Sequence, residues 1–459
     1  MANDWDVVKF KELYLIPSRN GLSKPKKVRG EGVKFINMGE IFKFDRMFNI
    51  PTDRVPVNKK EFDSSELRDN DLLFARQSLV LSGAGKCAIF LGDNEPVVFE
   101  SHLIRVRPDE KKVYPEYLYY FFKSPQGRSE IWSITEQGAG QSGIRGSDLE
   151  NINVPMPSHQ EQKAIAHILG SLDDKIELNR QMNETLEAMA QALFKSWFVD
   201  FDPVLDNALA AGHAIPDEFS ERAKQRQAVE KTDNSDIHKL FPDEFELTEE
   251  MGWIPKGWIV DDISSLCEKI QSGGTPRRNV PEYWEDGTIP WLTSGEVRQT
   301  IIIKVENKIS ESGLTNSSAK WLASGATVVA MYGATAGQVA YIDKPLTTNQ
   351  AVCGLIPKKG YQFFNYVTLS RAVAHFEGRA TGSAQQNINK GMIETTRVVV
   401  PSSISSDSFE EYCEVIFSKW IKNLHENETL AKLRDTLLPK LMSGELRISD
   451  TEVLVDEVL

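Results

Sequence analysis

The sequence predicts an α+β fold. Two mixed α/β domains are separated by two long helices that form an antiparallel coiled coil, with a pseudo-twofold internal repeat. Three observations predict it. The 459-residue chain repeats itself at an offset of 244–256 positions. Each copy opens on short apolar runs broken by Gly, Pro, Asn and Ser, the pattern of a turn-rich sheet. Each copy closes on a long stretch with a seven-residue apolar beat, the pattern of a paired helix.

The repeat is clearest in Asn183-Glu184-Thr185-Leu186 against Asn427-Glu428-Thr429-Leu430. Trp5 answers Trp258, and Lys34 to Glu40 answers Pro290 to Glu296. Asp71 to Arg76 answers Ala326 to Met331, Gly138 to Gln141 answers Gly382 to Gln385, and Val154-Pro155 answers Val400-Pro401. Six matches in one order, with a slowly drifting offset, mean two homologous halves. Two similar units can present two similar surfaces, which suits a target with two half-sites.

The globular regions are expected at residues 1–157 and 256–401. Val97-Val98-Phe99, Val328 to Met331 and Val398 to Val400 read as strands. Tyr117 to Phe122 and Phe363 to Phe376 read as helices. Each region ends on a strand stopped by proline, Ile152 to Pro157 and Arg397 to Pro401, because proline cannot donate to a ladder.

A first spacer helix is expected over 158–199, entered through Ser158-His159-Gln160-Glu161 as N-cap and first turn. Ile165, Leu172, Leu186 and Leu193 keep the beat, with Ile168, Met182 and Met189 on a companion row and Asn179 in the missing place. The second helix lies in 402–459 with its tail. It repeats the row with Phe409, Ile416, Leu430 and Leu437, and Asn423 takes the same polar slot. An Asn in a seam sets register at a cost in stability. Antiparallel pairing would bring Asn179 and Asn423 near each other. The alternative is that each helix simply covers its own domain.

Residues 200–255 form a connector. They hold 5 Lys/Arg against 14 Asp/Glu and so carry much of the net charge of −13. Residues 1–157 carry 23 against 22, and residues 256–401 carry 15 against 12. Binding to nucleic acid depends on local charge, so the overall acidity does not forbid it. A helical stretch is expected near Glu221 to Glu230. No apolar run is long enough for a membrane span, and no basic-then-apolar leader is evident. The four cysteines, Cys87, Cys267, Cys353 and Cys413, lack metal or disulfide spacing. A reduced, cytoplasmic, metal-free protein without a cofactor is expected.

Catalytic patterns are missing. There is no phosphate loop, nucleophile elbow, metal-spaced His pair, amino-methyltransferase motif or S-adenosylmethionine loop. Asp200, Asp202, Asp243, Glu244 and Glu246 invite a metal-nuclease reading, but no lysine follows at the needed spacing. Acidic connectors are more often solvated or docking surfaces. What remains are glycine loops at matched places. Ser82 to Lys86 answers Gly333 to Gln338, and Gly138 to Arg145 answers Gly382 to Asn389. Gln271 to Arg278 opens the second region. Glycine permits close approach to a backbone or base, and Arg, Lys, Asn and Gln offer base-edge donors. The plainer alternative is that these glycines only make tight turns. The candidate binding residues are Arg76, Gln77, Lys86, Gln141 and Arg145 in the first half. In the second they are Thr275, Arg277, Arg278, Arg298, Tyr332, Thr335, Gln385 and Asn387.

The chain resembles the specificity (S) subunit of Type I restriction–modification systems over essentially its full length. The resemblance rests on the tandem repeat and on Ser272-Gly273-Gly274-Thr275-Pro276. Trp197 to Pro203, Phe241-Pro242-Asp243 and Gly252 to Trp258 are similar to the family's central conserved region. Leu437 to Leu446 looks like its C-terminal conserved helix. The resemblance implies two target recognition domains that each read one half of a bipartite, asymmetric sequence in double-stranded DNA. It implies spacer helices that bind two methyltransferase (modification) subunits and, through them, endonuclease/translocase (restriction) subunits. It also implies that this chain is not itself an enzyme. The rival expectations are a stand-alone restriction or modification enzyme with fused recognition domains, and a two-domain scaffold that binds only proteins.

Overall fold

The computed structural model describes residues 5–138, 141–228, 235–372, 388–446 and 448. The chain forms two compact units, one from 1–178 with 427–459 and one from 179–426.

In the first unit, five strands form a sheet in the order Tyr14–Asn20, Leu103–Pro108, Asp71–Ala75, Cys87–Gly92, Arg46–Phe48. Its pairs are antiparallel except the last, which is parallel. The central strand Asp71–Ala75 is buried along its whole length. Its one acid, Asp71, accepts Nε and Nη2 of Arg107, both at 2.7 Å, which satisfies a buried charge. A second sheet is ordered Asp53–Val55, Val33–Ile36, Val97–Phe99. A ribbon pairs Asp6–Lys9 with Asn153–Met156. The helix Pro115–Lys123 packs Tyr117 to Phe122 into the core.

The second unit repeats this plan. Its five-stranded sheet runs Cys267–Ser272, Val352–Pro357, Thr327–Ala330, Val339–Ile342, Ile301–Ile302, again with a parallel last pair. Its second sheet runs Asn307–Ile309, Ile289–Leu292, Leu346–Thr348, Trp321–Leu322. The ribbon Ile259–Asp262 with Arg397–Val400 answers that of the first unit residue for residue. Individual hydrogen bonds recur too. Phe10 N donates to Ile152 O at 2.9 Å, and Ile263 N to Thr396 O at 2.8 Å. The strand and helix expectations are met with three corrections: the ribbons set Val154-Pro155 against Val398-Val399 and not Val400-Pro401, Pro155 lies within its strand and does not end it, and the helix Gln362–Arg371 stops before the expected Phe376, which lies outside the described residues.

The two long helices are His159–Phe198 and Ser403–Met442. Ser158 caps the first as expected: Ser158 N donates to Glu161 Oε2 at 2.9 Å, and Glu161 N to Ser158 Oγ at 3.3 Å. They pair antiparallel within each unit. In the first unit Arg434 Nη1 meets Asp173 Oδ1 at 2.5 Å, and Asn427 Nδ2 donates to the Ile176 carbonyl at 3.4 Å. Leu172, Leu430 and Leu437 are buried there beside Ile165 and Ile168, each worth roughly 1.5–3 kcal/mol of burial. In the second unit Asn179 Nδ2 donates to Glu426 Oε2 at 3.0 Å. Asn423 and Asn179 are both buried, yet Asn423 bonds Asn183 rather than Asn179. The antiparallel register sets residue 183 opposite 423, one turn beyond the expected partner.

The companion row also departs from expectation, because Met189 is 52% exposed. Past Leu186 the first helix turns Ala190, Phe194 and Trp197 inward instead. That stripe has ordinary helical spacing: Phe194 packs on Phe364 of the domain helix and on Phe409 of the second long helix, and Trp197 on Phe409 and Tyr412 of that helix. Both readings of the helices thus hold: they pair, and they cover their domains.

The connector folds onto the second unit. Phe201 takes a left-handed φ of 53° between the first long helix and the helix Asp202–Ala211. Its ring packs against Phe219, Phe245 and Trp258, which offsets a backbone penalty of roughly 1–2 kcal/mol. The helix Ser220–Ala228 appears where expected. It sends Arg222 to Asp202, with Nε and Nη2 both at 2.8 Å, and Arg226 to Asp206. The connector acids Asp200 and Asp202 are thus ion-paired to Arg222.

Candidate nucleic-acid interface

Three loops meet at one end of the strands of the first five-stranded sheet, and among the described residues the first two, with Ile388 at the close of the third, recur in the second unit. The first leaves the strand Tyr14–Asn20 at Gly21, and the strand Cys267–Ser272 at Gly273. A Cβ on Gly21 would sit 2.0 Å from the Phe99 carbonyl oxygen, and one on Gly273 would sit 2.0 Å from that of Thr348. Glycine is required at both positions for the same close approach. The next amides lock the loop: Leu22 N donates to Phe99 O at 2.8 Å, and Gly274 N to Thr348 O at 2.9 Å. Each loop then carries a proline and two basic residues, Pro25-Lys26-Lys27 and Pro276-Arg277-Arg278, all four basic residues exposed.

The second loop follows the buried central strand. Ala75 N donates to Lys86 O at 2.9 Å, and Gly85 N donates back to Ala75 O at 2.8 Å. Ala330 N and Gln338 O, with Gly337 N and Ala330 O, repeat both bonds at 2.9 and 2.8 Å. Spanning 75–86 against 330–338, the first version is three residues longer. Its tip holds Leu79, 81% exposed, and Val80.

The third loop closes on the second. Ile144 N donates to Arg76 O, and Ile388 N to Met331 O, both at 2.9 Å. Arg76 N in turn donates to His102 O at 2.8 Å, as Met331 N does to Ala351 O at 2.8 Å. Ser101 N reaches Leu22 O at 2.9 Å, and Gly273 N reaches Val352 O at 3.3 Å, tying in the first loop. The three loops are therefore neighbours in space in the first unit, and in the second the same holds for the first two loops and Ile388.

The candidate side chains differ in what they have free. Arg76, Arg277, Arg278 and Arg298 are exposed, and none has a carboxylate within ion-pair range among the described residues. Gln77 is half-buried on the short strand that pairs with Gln141–Gly143. Lys86 is drawn to Asp45 at 2.9 Å and lies over the Phe42 ring. Burial alone would raise the Asp45 carboxyl, but Lys123 and Lys86 outweigh it and hold it below the usual range. Arg145 pairs with Glu136 at 2.6 Å. Thr275 bonds Gln350, Tyr332 is 43% exposed, and Thr335 is buried with its hydroxyl donated to Ser294 O at 2.9 Å. Gln385 and Asn387 lie outside the described residues, as does the side chain of Gln141.

Residues the sequence reading missed join the same edge. Lys26 and Lys27 match Arg277 and Arg278 in place, a match visible in Gly21…Pro25-Lys-Lys against Gly273…Pro276-Arg-Arg. Arg128 donates to the carbonyls of Ser82, Ala84 and Gly85, at 2.8, 3.3 and 3.1 Å, and lies over the exposed Trp132. Nothing in the local sequence marks Arg128, since its partners lie more than 40 positions away.

Reactive groups are scarce away from this edge. All four cysteines are buried. Burial pushes the Cys267 thiol up to about 11 and the Cys353 thiol up to about 12. Among the described residues one cluster could hold a metal ion, His213, Asp243 and Glu244, with ligand atoms within 4.8 Å of one another. Glu244 there bonds Lys256 at 2.7 Å. No helix among the described residues is long and apolar enough to cross a membrane.

A family model described as the Type I restriction modification DNA specificity domain matches residues 2–188 and 255–407. The chain belongs to this family. Each match covers one globular region and runs on into the long helix that follows it. This member of the specificity-domain family is 28% identical over 442 residues to the Type I restriction enzyme HindI specificity subunit of Haemophilus influenzae, covering 90% of this chain and 94% of that one. It is 24% identical over 456 residues to the MjaIX specificity subunit of Methanocaldococcus jannaschii, covering 98% and 95%. Among solved structures it is similar to the Type-I restriction-modification system S subunit from M. genitalium, with a TM-score of 0.53, 16% identity and 96% of each chain covered. That likeness extends the shared fold to the two repeated domains and their long helices.

Proposed function

We propose that this specificity-family chain reads a bipartite, asymmetric DNA target, one part with each globular region, and performs no chemistry itself. The observation that carries the reading is the matched edge. The first two loops and the closing bond of the third, held by matching backbone hydrogen bonds, occur in both regions with different side chains: Lys26 and Lys27 in one, Arg277 and Arg278 in the other. Equal scaffolds with unequal tips suit two different half-sites.

The exposed cations supply phosphate contacts, which position the protein and make binding fall with salt. Arg and Gln at the tips supply base-edge donors in the major groove. The two long helices hold two modification subunits, and restriction subunits assemble through those. Methyl transfer and cleavage reside in those chains. This reading places the protein in the cytoplasm with the DNA.

Co-expression with the modification subunit in a host free of other methylation tests the reading. Mapping of methylated adenines should return one bipartite motif with an unread gap. The chain alone should methylate nothing and cut nothing. Methylation or cleavage by the purified chain alone would refute the non-catalytic assignment.

A further inference from the structure

We propose that Arg278 reads a guanine in the half-site contacted by the second globular region, an inference that rests on the DNA-reading function above. The Arg278 guanidinium lies 4.2 Å from the ring centroid of Trp284 and 5.1 Å from that of Trp291. The two indoles meet edge to face at 5.1 Å and 85°. Each also pins the loop that carries the arginine. Trp291 Nε1 donates to the Gly274 carbonyl at 2.9 Å, and Trp284 Nε1 to the Arg277 carbonyl at 3.1 Å. Trp291 is only 1% exposed, so this platform is anchored in the core. Arg278 itself is exposed and has no carboxylate partner among the described residues.

The first region shows what a structural arginine looks like in this setting. Phe35 holds the strand position of Trp291, and Arg29 lies over its ring at 5.2 Å. Arg29, however, is neutralised by Asp53 at 3.1 Å and Glu100 at 3.6 Å, and its side chain is 16% exposed. The second region keeps the aromatic support and lacks the acids. A guanidinium seated against two aromatic rings is restricted in position, and its fork of N–H donors suits two acceptors in one plane. Guanine offers such a pair, O6 and N7, in the major groove. A phosphate contact needs charge and no fixed plane, and the adjacent Arg277 supplies that charge.

The test is methylation mapping of the chain co-expressed with its modification subunit, for the unaltered protein and for Arg278→Lys, Arg278→Ala, Arg277→Ala and Trp284→Leu. Arg278→Lys keeps the charge and loses the fork. Both Arg278 variants should keep the bipartite motif but accept other bases at one G·C pair of one half-site. Discrimination there should fall roughly 5- to 150-fold, the range of one bidentate contact. Trp284→Leu should relax the same pair to a lesser degree, and Arg277→Ala should lower methylation at all sites alike. An unaltered chain that methylates no bipartite motif would overturn the DNA reading, and this proposal with it. A normal wild-type motif that stays fully specific in both Arg278 variants, loses only overall occupancy, or relaxes at an A·T pair, would overturn the guanine assignment alone.

Discussion

Asn423 donates its side-chain amide to Oδ1 of Asn183, 2.9 Å away, in the seam between the two long helices. Both residues are buried, at 0% and 6% exposure. A buried polar pair in the seam fixes register, because sliding either helix breaks the Asn423–Asn183 bond. Asn423→Leu alone should therefore destabilise the chain by about 1–3 kcal/mol. The double change Asn183→Leu with Asn423→Leu should recover most of that loss. Denaturant midpoints of the two single variants and the double variant measure the coupling. Equal losses in single and double variants would mean that the pair does not act as a unit.

The helices should also set the gap between half-sites. Four residues inserted before Asn179 add about 6 Å of helix, close to two base pairs of duplex. An assembled, active variant should methylate the same half-sites with the gap changed by one or two base pairs. An unchanged gap would mean that the helices pack the domains without setting their separation.

Glu410 gives the fold a pH dependence. Burial raises its carboxyl to about 7, although the backbone N–H groups of Phe364, Phe363 and Gln362 pull the other way. A folded-state value above the unfolded one stabilises the fold at low pH. The contribution is complete below the ordinary value of 4.5 and is lost as pH rises through about 7. Glu410→Gln should remove this slope, so stability falls less between pH 5 and pH 8 in the variant, by up to about 2–3 kcal/mol. Identical pH profiles of thermal unfolding would contradict the assignment.

The two close-approach glycines give a paired test. Gly21→Ala and Gly273→Ala each press a methyl group against a carbonyl oxygen 2.0 Å away. Each should cost roughly 1–3 kcal/mol. Each should weaken reading of one half-site and leave the other intact, as seen in methylation maps at permissive temperature. Loss of both half-sites from either single change would argue against separate reading edges.

Much of this was legible in the sequence, and the exceptions have physical causes. The Asn-Glu-Thr-Leu repeat, the Ser158 cap and the strand runs are local patterns, and they placed the elements. The match of Lys26-Lys27 with Arg277-Arg278 was hidden because the first loop carries one extra residue and shares only glycine and proline with its counterpart. Which cations are free is a tertiary property. Lys86 and Arg145 look like Arg76 in sequence, yet Asp45 and Glu136 occupy them. The pairing of Asn423 with Asn183 depends on an antiparallel register that the heptad count alone does not specify. Met189 stays exposed because past Leu186 the helix turns Ala190, Phe194 and Trp197 inward instead, against both the domain core and Phe409 of the second helix.

The most direct test of modular reading is exchange of the second globular region. Residues 256–401 are replaced by the corresponding region of another specificity-family chain, and methylated adenines are mapped after co-expression with the modification subunit. The account predicts a motif in which one half-site is new and the other, with the gap, is unchanged. A motif altered in both halves, or unaltered in both, would contradict it.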